Sequence, residues 1–293
     1  MTGVSDQSFG GEWTESKLRS VSSYLEQYQT ALKNQSFTTW YVDAFAGTGS
    51  RAVRDFVDLS LGLLAGIDVE EADAGRYKAG SARIALGLPR PFDRYLFIEK
   101  SKSKCEELES TIRTDFASLH GRCTIQQEDS NIALCEWCKE RNWSRDRAVV
   151  FLDPFGLQVE WSTIKSLGAT KGIDLWYLFP MSLLRLLKHD GVIEPKWRDR
   201  LDAVFGTPEW ESRFYERSQS PLFDDVEMIE RTATVENVQR FIEERLSTCF
   251  VKVAKGAVLK NSRNSPLFLL CFAASNERGA PIAIRIAQSI LKG

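Results

Sequence analysis

Short apolar runs alternate along this chain with segments whose apolar residues recur at helical spacing. The first such segment, residues 12–33, places its apolar residues three or four positions apart, which predicts an amphipathic helix. Five short runs rich in β-branched and aromatic residues follow, and each predicts a strand. The runs are 40–45, 94–98, 122–127, 148–152 and 174–179, and the apolar positions of the helix are Leu18, Val21, Leu25, Tyr28 and Leu32.

Strands that alternate with helices predict a parallel, doubly wound sheet, and therefore a three-layer α/β/α sandwich. Two later apolar runs, 250–253 and 266–273, suit an antiparallel pair that closes this sheet, and a last helix is expected over 280–291. Between them, residues 183–248 carry mainly helical patterns. The predicted organisation is a Rossmann-like core over 1–182, a helical insertion over 183–248, and C-terminal strands with a helix over 249–293.

Composition narrows the class of protein. The 293 residues include 38 Lys and Arg against 40 Asp and Glu, a net charge of −2, so nucleic acid would have to bind through a local basic patch. No apolar run approaches the roughly 20 residues of a membrane span, and the N-terminal residues do not resemble a signal peptide. Six cysteines in a chain of this length do not form a disulfide framework. We therefore expect a cytoplasmic protein that is not associated with a membrane.

The stretch 43–49, Asp-Ala-Phe-Ala-Gly-Thr-Gly, follows directly on the β-branched and aromatic residues 38–42 and includes the end of the first predicted strand. An acidic residue and then alternate glycines let the backbone approach a nucleotide-type ligand at the carboxyl end of a strand. The pattern resembles the first motif of class I S-adenosylmethionine-dependent methyltransferases. A structural turn is the alternative. The cofactor-binding residues predicted here are Asp43, Ala44, Phe45, Gly47 and Gly49.

Acidic residues also end the next two strands. Glu99, followed by Lys100, stands where a carboxylate could accept hydrogen bonds from both ribose hydroxyls, although surface acids at strand ends are common. Asp129 and Ser130 follow the third strand, where an acid could accept the amino group of an adenine. Asp129 could instead cap the following helix, and the two roles are compatible.

The fourth strand ends in Asp153-Pro154-Phe155-Gly156, which resembles the (D/N)-P-P-(Y/F/W) motif of amino-group methyltransferases. That resemblance implies that Asp153 and a backbone carbonyl accept hydrogen bonds from the target amine, while an aromatic ring stacks on the substrate. Here the second proline is missing and Phe155 comes one residue early, so the alternative is a turn with Phe155 in the core. Asp153, Pro154 and Phe155 are the predicted catalytic residues.

Three further residues are candidates for substrate binding. Lys17 lies in the first helix, where a solvated lysine is the ordinary case. Phe179 and Pro180, at the end of the fifth strand, could line a substrate pocket or simply break the strand.

Other patterns give weaker indications. Cys135 and Cys138 form a lone C-x-x-C without the further ligands that zinc requires, so no metal is expected. Basic residues cluster near Trp197 and in the loop 260–264, and they could form a nucleic-acid face or a solvated helix face balanced by neighbouring acids. The clustered residues are Arg185, Lys188, Lys196, Arg198, Arg200, Lys252, Lys255, Lys260 and Arg263.

Taken in order, these motifs resemble the three-Cys-motif partner family, a bacterial group with a class I methyltransferase-like fold. The resemblance covers about residues 12–180 well and the last two strands weakly. It implies the cofactor S-adenosylmethionine and a companion protein with a three-cysteine motif. The segments that carry it are the first helix with Lys17, Tyr24, Leu25 and Tyr28, and the stretches 41–49, 80–82, 97–100 and 151–156.

Two functions are compatible with these observations. The first is an S-adenosylmethionine-dependent methyltransferase that modifies an amino group, with a nucleobase as the expected acceptor. The second is a binding subunit that keeps the methyltransferase fold and acts with its companion protein without turnover of its own.

Overall fold

The protein, seen here in a computed structural model, is described over residues 12–47, 80–219, 227–261 and 263–292. Helix α1 (Glu12–Leu32) precedes strand β1 (Thr38–Asp43), and residues 80–86 form helix α2 within the described part. The chain then alternates regularly between strands and helices. These elements are β2 (Arg94–Ile98), α3 (Lys102–Asp115), β3 (Cys123–Gln126), α4 (Ser130–Glu140), β4 (Asp146–Leu152), α5 (Trp161–Ala169) and β5 (Ile173–Pro180).

The following segment mixes helices with a β-hairpin. Its elements are α6 (Pro195–Phe205), α7 (Trp210–Phe214), β6 (Tyr215–Gln219), β7 (Glu227–Arg231) and α8 (Val235–Ser247). The antiparallel pair β6–β7 was not expected from the helical pattern. The chain ends with β8 (Lys252–Val253), β9 (Ala257–Lys260), β10 (Pro266–Ala274) and α9 (Ala280–Leu291).

Among the described residues, eight strands form one sheet in the order β3-β2-β1-β4-β5-β10-β8, and β9 also pairs with β10. The first five strands are parallel, whereas β10 runs antiparallel to β5, β8 and β9. Parallel strands buried on both faces read as nearly continuous apolar runs, which is why the sequence pattern located them. The predicted three-layer sandwich with an antiparallel C-terminal strand is confirmed, and β9 is an addition to it.

Hydrophobic residues on the two faces of the sheet form two separate clusters. Val149, Phe151 and Trp176 point to the face covered by α1, α2, α3 and α9. Val150 and Leu152 point to the other face, which α4 and α5 cover. This alternation along β4 follows from the two-residue period of a strand.

Residues from the predicted insertion extend the second cluster, so this segment packs on the sheet domain. Phe205 in α6 contacts Phe179 in β5, with ring centroids 6.1 Å apart, and Phe241 in α8, at 5.2 Å. Gly206 ends α6 in the left-handed conformation, with φ of 65°. The domain boundaries themselves stay a prediction.

Candidate functional site

Acidic residues at the carboxyl ends of four neighbouring parallel strands meet at one edge of the sheet. Asp43 in β1 stands in register with Phe97 in β2 and with Phe151 in β4. Glu99 and Asp153 each come two residues after the residue that pairs with Asp43. They therefore lie on either side of Asp43, after the strands β2 and β4 that flank β1. Asp129 follows β3, which pairs with β2 on the side away from β1. Ligands of open α/β sheets bind at this edge.

Asp43 is almost completely buried, and donors surround its carboxylate. The Ser81 hydroxyl donates to Oδ2 at 2.8 Å, and the backbone N–H of Phe45 donates to Oδ1 at 3.2 Å. Tyr41 lies 3.5 Å from Oδ2. Burial raises the pKa of Tyr41 well above its ordinary value, and the Asp43 carboxylate raises it further, so this hydroxyl stays protonated. No site role was predicted for Ser81, which is 38 residues from Asp43 along the chain.

Gly47 and Glu99 are fitted closely to each other. The backbone N–H of Gly47 donates to Glu99 Oε2 at 3.0 Å, and that of Ser101 donates to Oε1 at 3.0 Å. A Cβ atom at position 47 would lie 2.0 Å from Glu99 Oε2, so a side chain there is incompatible with this carboxylate position. Glycine is therefore required at position 47 for contact with Glu99, whereas Gly49 lies outside the described residues.

The Glu99 carboxylate retains acceptor capacity for hydrogen bonds from ribose hydroxyl groups. Each carboxylate oxygen can accept more than one hydrogen bond, and each uses one on a backbone N–H. Lys104 lies 4.0 Å from Oε1 in a largely buried position. A carboxylate held in this way is fixed in position and can still accept the two hydroxyl groups of a ribose.

Asp129 caps helix α4, as predicted in the alternative to an adenine contact. Its Oδ1 accepts the backbone N–H of Asn131 at 2.9 Å, while Oδ2 lies 3.9 Å from Lys100 Nζ on the surface. Ser130 Oγ donates to the backbone carbonyl of Ala44, which joins α4 to the turn after β1. Ala44 also donates its N–H to the carbonyl of Phe151, at 3.2 Å. The predicted adenine contact of Asp129 remains compatible with the cap.

Asp153 forms a buried ion pair with Lys17. Lys17 Nζ lies 3.1 Å from Asp153 Oδ2, and the side chains are 0% and 9% exposed. The same ammonium lies 5.8 Å from the centroid of the Phe151 ring. The ordinary case of a solvated lysine is therefore wrong here, and α1 contributes directly to this edge of the sheet.

The turn after Asp153 is fixed by side chains from neighbouring segments. Phe155 donates its N–H to Gln158 Oε1 at 2.9 Å, and Gly156 adopts φ of 69°. Asn131 in α4 donates to the carbonyl of Gln158 at 3.0 Å and accepts the N–H of Glu160 at 3.0 Å. Phe155 is half-buried and Pro154 is buried. Phe155 thus lies at the site with part of its surface accessible.

Phe179 and Pro180 are placed differently from the other candidates. Both belong to β5, and the strand ends at Pro180, which agrees with the alternative that this segment ends the strand. The Phe179 ring packs in the hydrophobic core between Tyr177 and Phe205. The structure therefore brings Lys17 to the acidic edge and buries Phe179 in the core.

The cysteines and basic residues have ordinary environments. All six cysteines are free, and burial raises the pKa of Cys138 to about 12. The described ranges hold no group of three or more His, Cys, Asp or Glu residues placed to bind a metal ion. Within the basic cluster, Arg198 pairs with Glu211, Lys196 with Glu194 at 3.0 Å, and Arg200 with Glu160 at 3.8 Å. These ion pairs favour the interpretation as a solvated, charge-balanced face.

No protein-family model matches the chain, and no curated protein matches it. Solved structures give only distant likenesses. A Listeria monocytogenes protein, provisionally assigned as an S-adenosylmethionine-dependent methyltransferase, is 9% identical with a TM-score of 0.38 over 89% of this chain and 100% of that one. A Legionella pneumophila protein of the DUF519 family is 12% identical with a TM-score of 0.39 over 82% and 93%. The structure of a complex of DhpI with SAH is 13% identical, with a TM-score of 0.31 over 91% of this chain and 98% of that one.

These TM-scores are low, so the fold rests on the strand order and pairing described above. Across the described residues, every helix is too short or too polar to cross a membrane.

Proposed function

We propose that the protein is an S-adenosylmethionine-dependent methyltransferase. The observation that carries the proposal is the row of fixed carboxylates at one edge of the sheet, above all Glu99 held by the N–H groups of Gly47 and Ser101. Their order along the chain suits the parts of this cofactor. Asp43, Ala44, Phe45, Gly47 and Gly49 surround the methionine part, Glu99 and Lys100 the ribose, and Asp129 and Ser130 the adenine. The resemblance of the motif at 43–49 supports the same cofactor.

The cofactor, when bound, supplies an electrophilic methyl group on a positively charged sulfur. The residues of the chain then have to position an acceptor and keep water away. Asp153 Oδ2 is held by Lys17, so Oδ1 is the oxygen proposed to accept an N–H bond from the acceptor amine. Such a bond orients the nitrogen lone pair, and catalysis by positioning alone can supply several kcal/mol.

We place the acceptor amine on a nucleobase, where the half-buried ring of Phe155 would stack on a planar group. Pro154 stiffens the turn between Asp153 and that ring. The acceptor is proposed as a base within nucleic acid, and the resemblance to amino-group methyltransferases in this motif supports this choice.

Calorimetric titration with S-adenosylmethionine and S-adenosylhomocysteine tests the cofactor. Glu99→Gln would place an amide N–H₂ against the backbone donors and should weaken binding at least about tenfold, or about 1.4 kcal/mol. Glu106→Gln is the matched control, because Glu106 is exposed on α3 and pairs with Lys102 only on the surface. Failure of the wild type to bind either compound would overturn the cofactor assignment.

Transfer of a labelled methyl group to single-stranded and duplex oligonucleotides, followed by nucleoside analysis, tests the acceptor. Asp153→Ala should abolish transfer while S-adenosylmethionine still binds. Transfer that survives this substitution, or a label found on carbon or oxygen, would contradict the role given to Asp153.

The Lys17–Asp153 ion pair favours a second candidate function. A carboxylate occupied by a buried lysine suits a structural role, as expected of a binding subunit that works with a three-Cys-motif companion protein. Co-expression with such a companion should then give a stable complex on size-exclusion chromatography. Cofactor binding without methyl transfer by either the complex or the free protein would favour this candidate over the first.

A further inference from the structure

A cavity of about 360 Å³ opens at the amino-terminal ends of β4 and β5, whereas the acidic site lies at the carboxyl ends of the strands. It lies between the C-terminal part of α1, the first residues of β5 and the N-terminal part of α9. Asp174, which lines it, stands in register with Val149, four residues before Asp153. At about 3.3 Å per residue, the two carboxylates are about 13 Å apart along the strands. The cavity is therefore separate from the proposed cofactor site.

One polar wall of the cavity is acidic. The Tyr24 hydroxyl donates to Asp174 Oδ2 at 2.6 Å, and no other hydrogen bond reaches this carboxylate from the described residues. Asp174 and Tyr28 both line the cavity. Burial raises the pKa of Asp174 to about 6, although the hydrogen bond from Tyr24 and the charge of Arg147 both lower it. The carboxylate is therefore ionised at pH 8. An ionised carboxylate with free acceptor capacity suits a protonated amine.

A second wall is basic. Arg147 is fixed there by hydrogen bonds from Nη1 to the carbonyls of Trp143 and Asp146, at 2.6 and 2.7 Å, and its guanidinium lies 4.0 Å from the centroid of the Phe37 ring. A guanidinium has five N–H donors, and in the described part of the chain this one uses Nη1 alone. Arg278 also lines the cavity and is exposed, with no acidic partner among the described residues. Two guanidinium groups suit a carboxylate or another small anion.

The remaining walls are apolar. Leu32 on α1 and Ile282 and Ile286 on α9 line the cavity. Ile282 is 47% exposed, so part of its apolar surface is accessible to a ligand. These residues could bury a hydrocarbon or aromatic body of modest size.

We infer that this cavity binds a small amphoteric molecule with an apolar body, the chemistry of an apolar α-amino acid. The ammonium group pairs with Asp174, the carboxylate pairs with Arg147 and Arg278, and the side chain packs against Leu32, Ile282 and Ile286. The acidic and basic walls of one cavity select for both charges in one ligand, since a singly charged molecule satisfies only one of them.

The test uses three probes that share a phenyl body, titrated calorimetrically into the full chain at pH 8. L-Phenylalanine carries both charges, 2-phenylethylamine lacks the carboxylate, and 3-phenylpropanoate lacks the amine. We expect L-phenylalanine to bind at least fivefold more tightly than either analogue. Absence of L-phenylalanine binding, or equal affinity for all three probes, would overturn the inference.

Variants assign the two walls separately. Asp174→Asn should lower the affinity for L-phenylalanine and 2-phenylethylamine and leave that for 3-phenylpropanoate unchanged. Arg278→Ala should lower the affinity for L-phenylalanine and 3-phenylpropanoate and leave that for 2-phenylethylamine unchanged. Arg278 is exposed, so this variant keeps the test decisive if Asp174→Asn impairs folding. Arg285→Ala, an exposed arginine further along α9, is the matched control and should change nothing. L-Phenylalanine binding that both cavity variants leave intact would contradict the assignment. S-adenosylmethionine is not a probe here, so failure of either proposal leaves the other standing.

Discussion

Lys17 in α1 and Asp153 after β4 form a buried ion pair across 136 residues of sequence. The pair fixes α1 against the acidic edge of the sheet. One helix thereby contacts both ends of the strands, because Tyr24, two turns after Lys17, donates to Asp174 at the opposite edge.

Removing Lys17 should therefore destabilise the protein strongly. Lys17→Met leaves the Asp153 carboxylate buried without its partner, and we expect the free energy of unfolding to fall by about 3 kcal/mol. Urea denaturation measures this change. The double variant Lys17→Met with Asp153→Asn should recover part of the loss, since no uncompensated charge remains. Losses in the two single variants that simply add in the double variant would contradict coupling between these residues.

Gly47→Ala should impair cofactor binding, because its Cβ would lie 2.0 Å from Glu99 Oε2 and would displace that carboxylate. We expect S-adenosylmethionine affinity to fall at least about tenfold, which corresponds to about 1.4 kcal/mol. Gly121→Ala is the control, because no atom lies within 4 Å of a Cβ there. Equal affinities of these two variants in calorimetric titration would rule out the proposed role of the Gly47–Glu99 contact.

Two substitutions separate the capping role of Asp129 from its proposed contact with adenine. Asp129→Ala should cost about 1 kcal/mol of stability through loss of the cap on α4. Asp129→Ser retains a capping oxygen and should restore this stability, but it lacks the carboxylate and should still bind S-adenosylmethionine more weakly. Thermal unfolding and calorimetry on both variants make the comparison. Full cofactor affinity in Asp129→Ser would leave Asp129 with the capping role alone.

Gly206→Ala tests how firmly the segment after β5 is packed against the sheet domain. The new Cβ would lie 2.3 Å from Trp161 Cδ1, and φ of 65° is unfavourable for alanine. We expect a loss of more than about 2 kcal/mol in a single cooperative transition. Denaturant unfolding followed by tryptophan fluorescence measures it. A separate early transition would instead show that this segment unfolds independently of the sheet domain.

Asp174 should make stability depend on pH in a defined direction. Burial raises its pKa from 3.8 to about 6 in the folded protein. The ionisable groups that line the same cavity are Tyr24, Tyr28, Arg147 and Arg278. The folded state thus holds the proton more tightly, and this contribution to stability is present below pH 3.8 and lost as the pH rises through about 6.

The free energy of unfolding of the wild type, relative to that of Asp174→Asn, should therefore fall by about 2 kcal/mol between pH 4 and pH 7. Urea denaturation at matched pH values gives this difference and cancels other titrating groups. A relative stability that rises over the same interval would show that the carboxylate is favoured in its ionised form.

Local sequence alone determined the five parallel strands, the helices between them and the acidic strand ends, whereas β6, β7 and β9 were not predicted. Apolar runs such as 148–152 located buried parallel strands, because such strands are covered on both faces and need no polar positions. The order of the motifs then located the edge at which Asp43, Glu99, Asp129 and Asp153 meet, since carboxyl ends of parallel strands share one edge. Position in the chain was sufficient for these residues because each ends its own strand or comes within three residues after it.

Long-range packing decided the rest. Lys17 was a candidate for substrate binding, with a solvated lysine as the ordinary case. Neither interpretation predicted the ion pair, since helical periodicity does not show that a carboxylate 136 residues away will meet it. Ser81 belongs to a stretch that carries the resemblance, but its role was not predicted, because its contact with Asp43 exists only after α2 packs on the sheet. The cavity beside Asp174 likewise forms only where α1, β5 and α9 come together. Interactions of this kind depend on the three-dimensional arrangement of distant segments, and a local pattern of apolar and polar residues does not predict them.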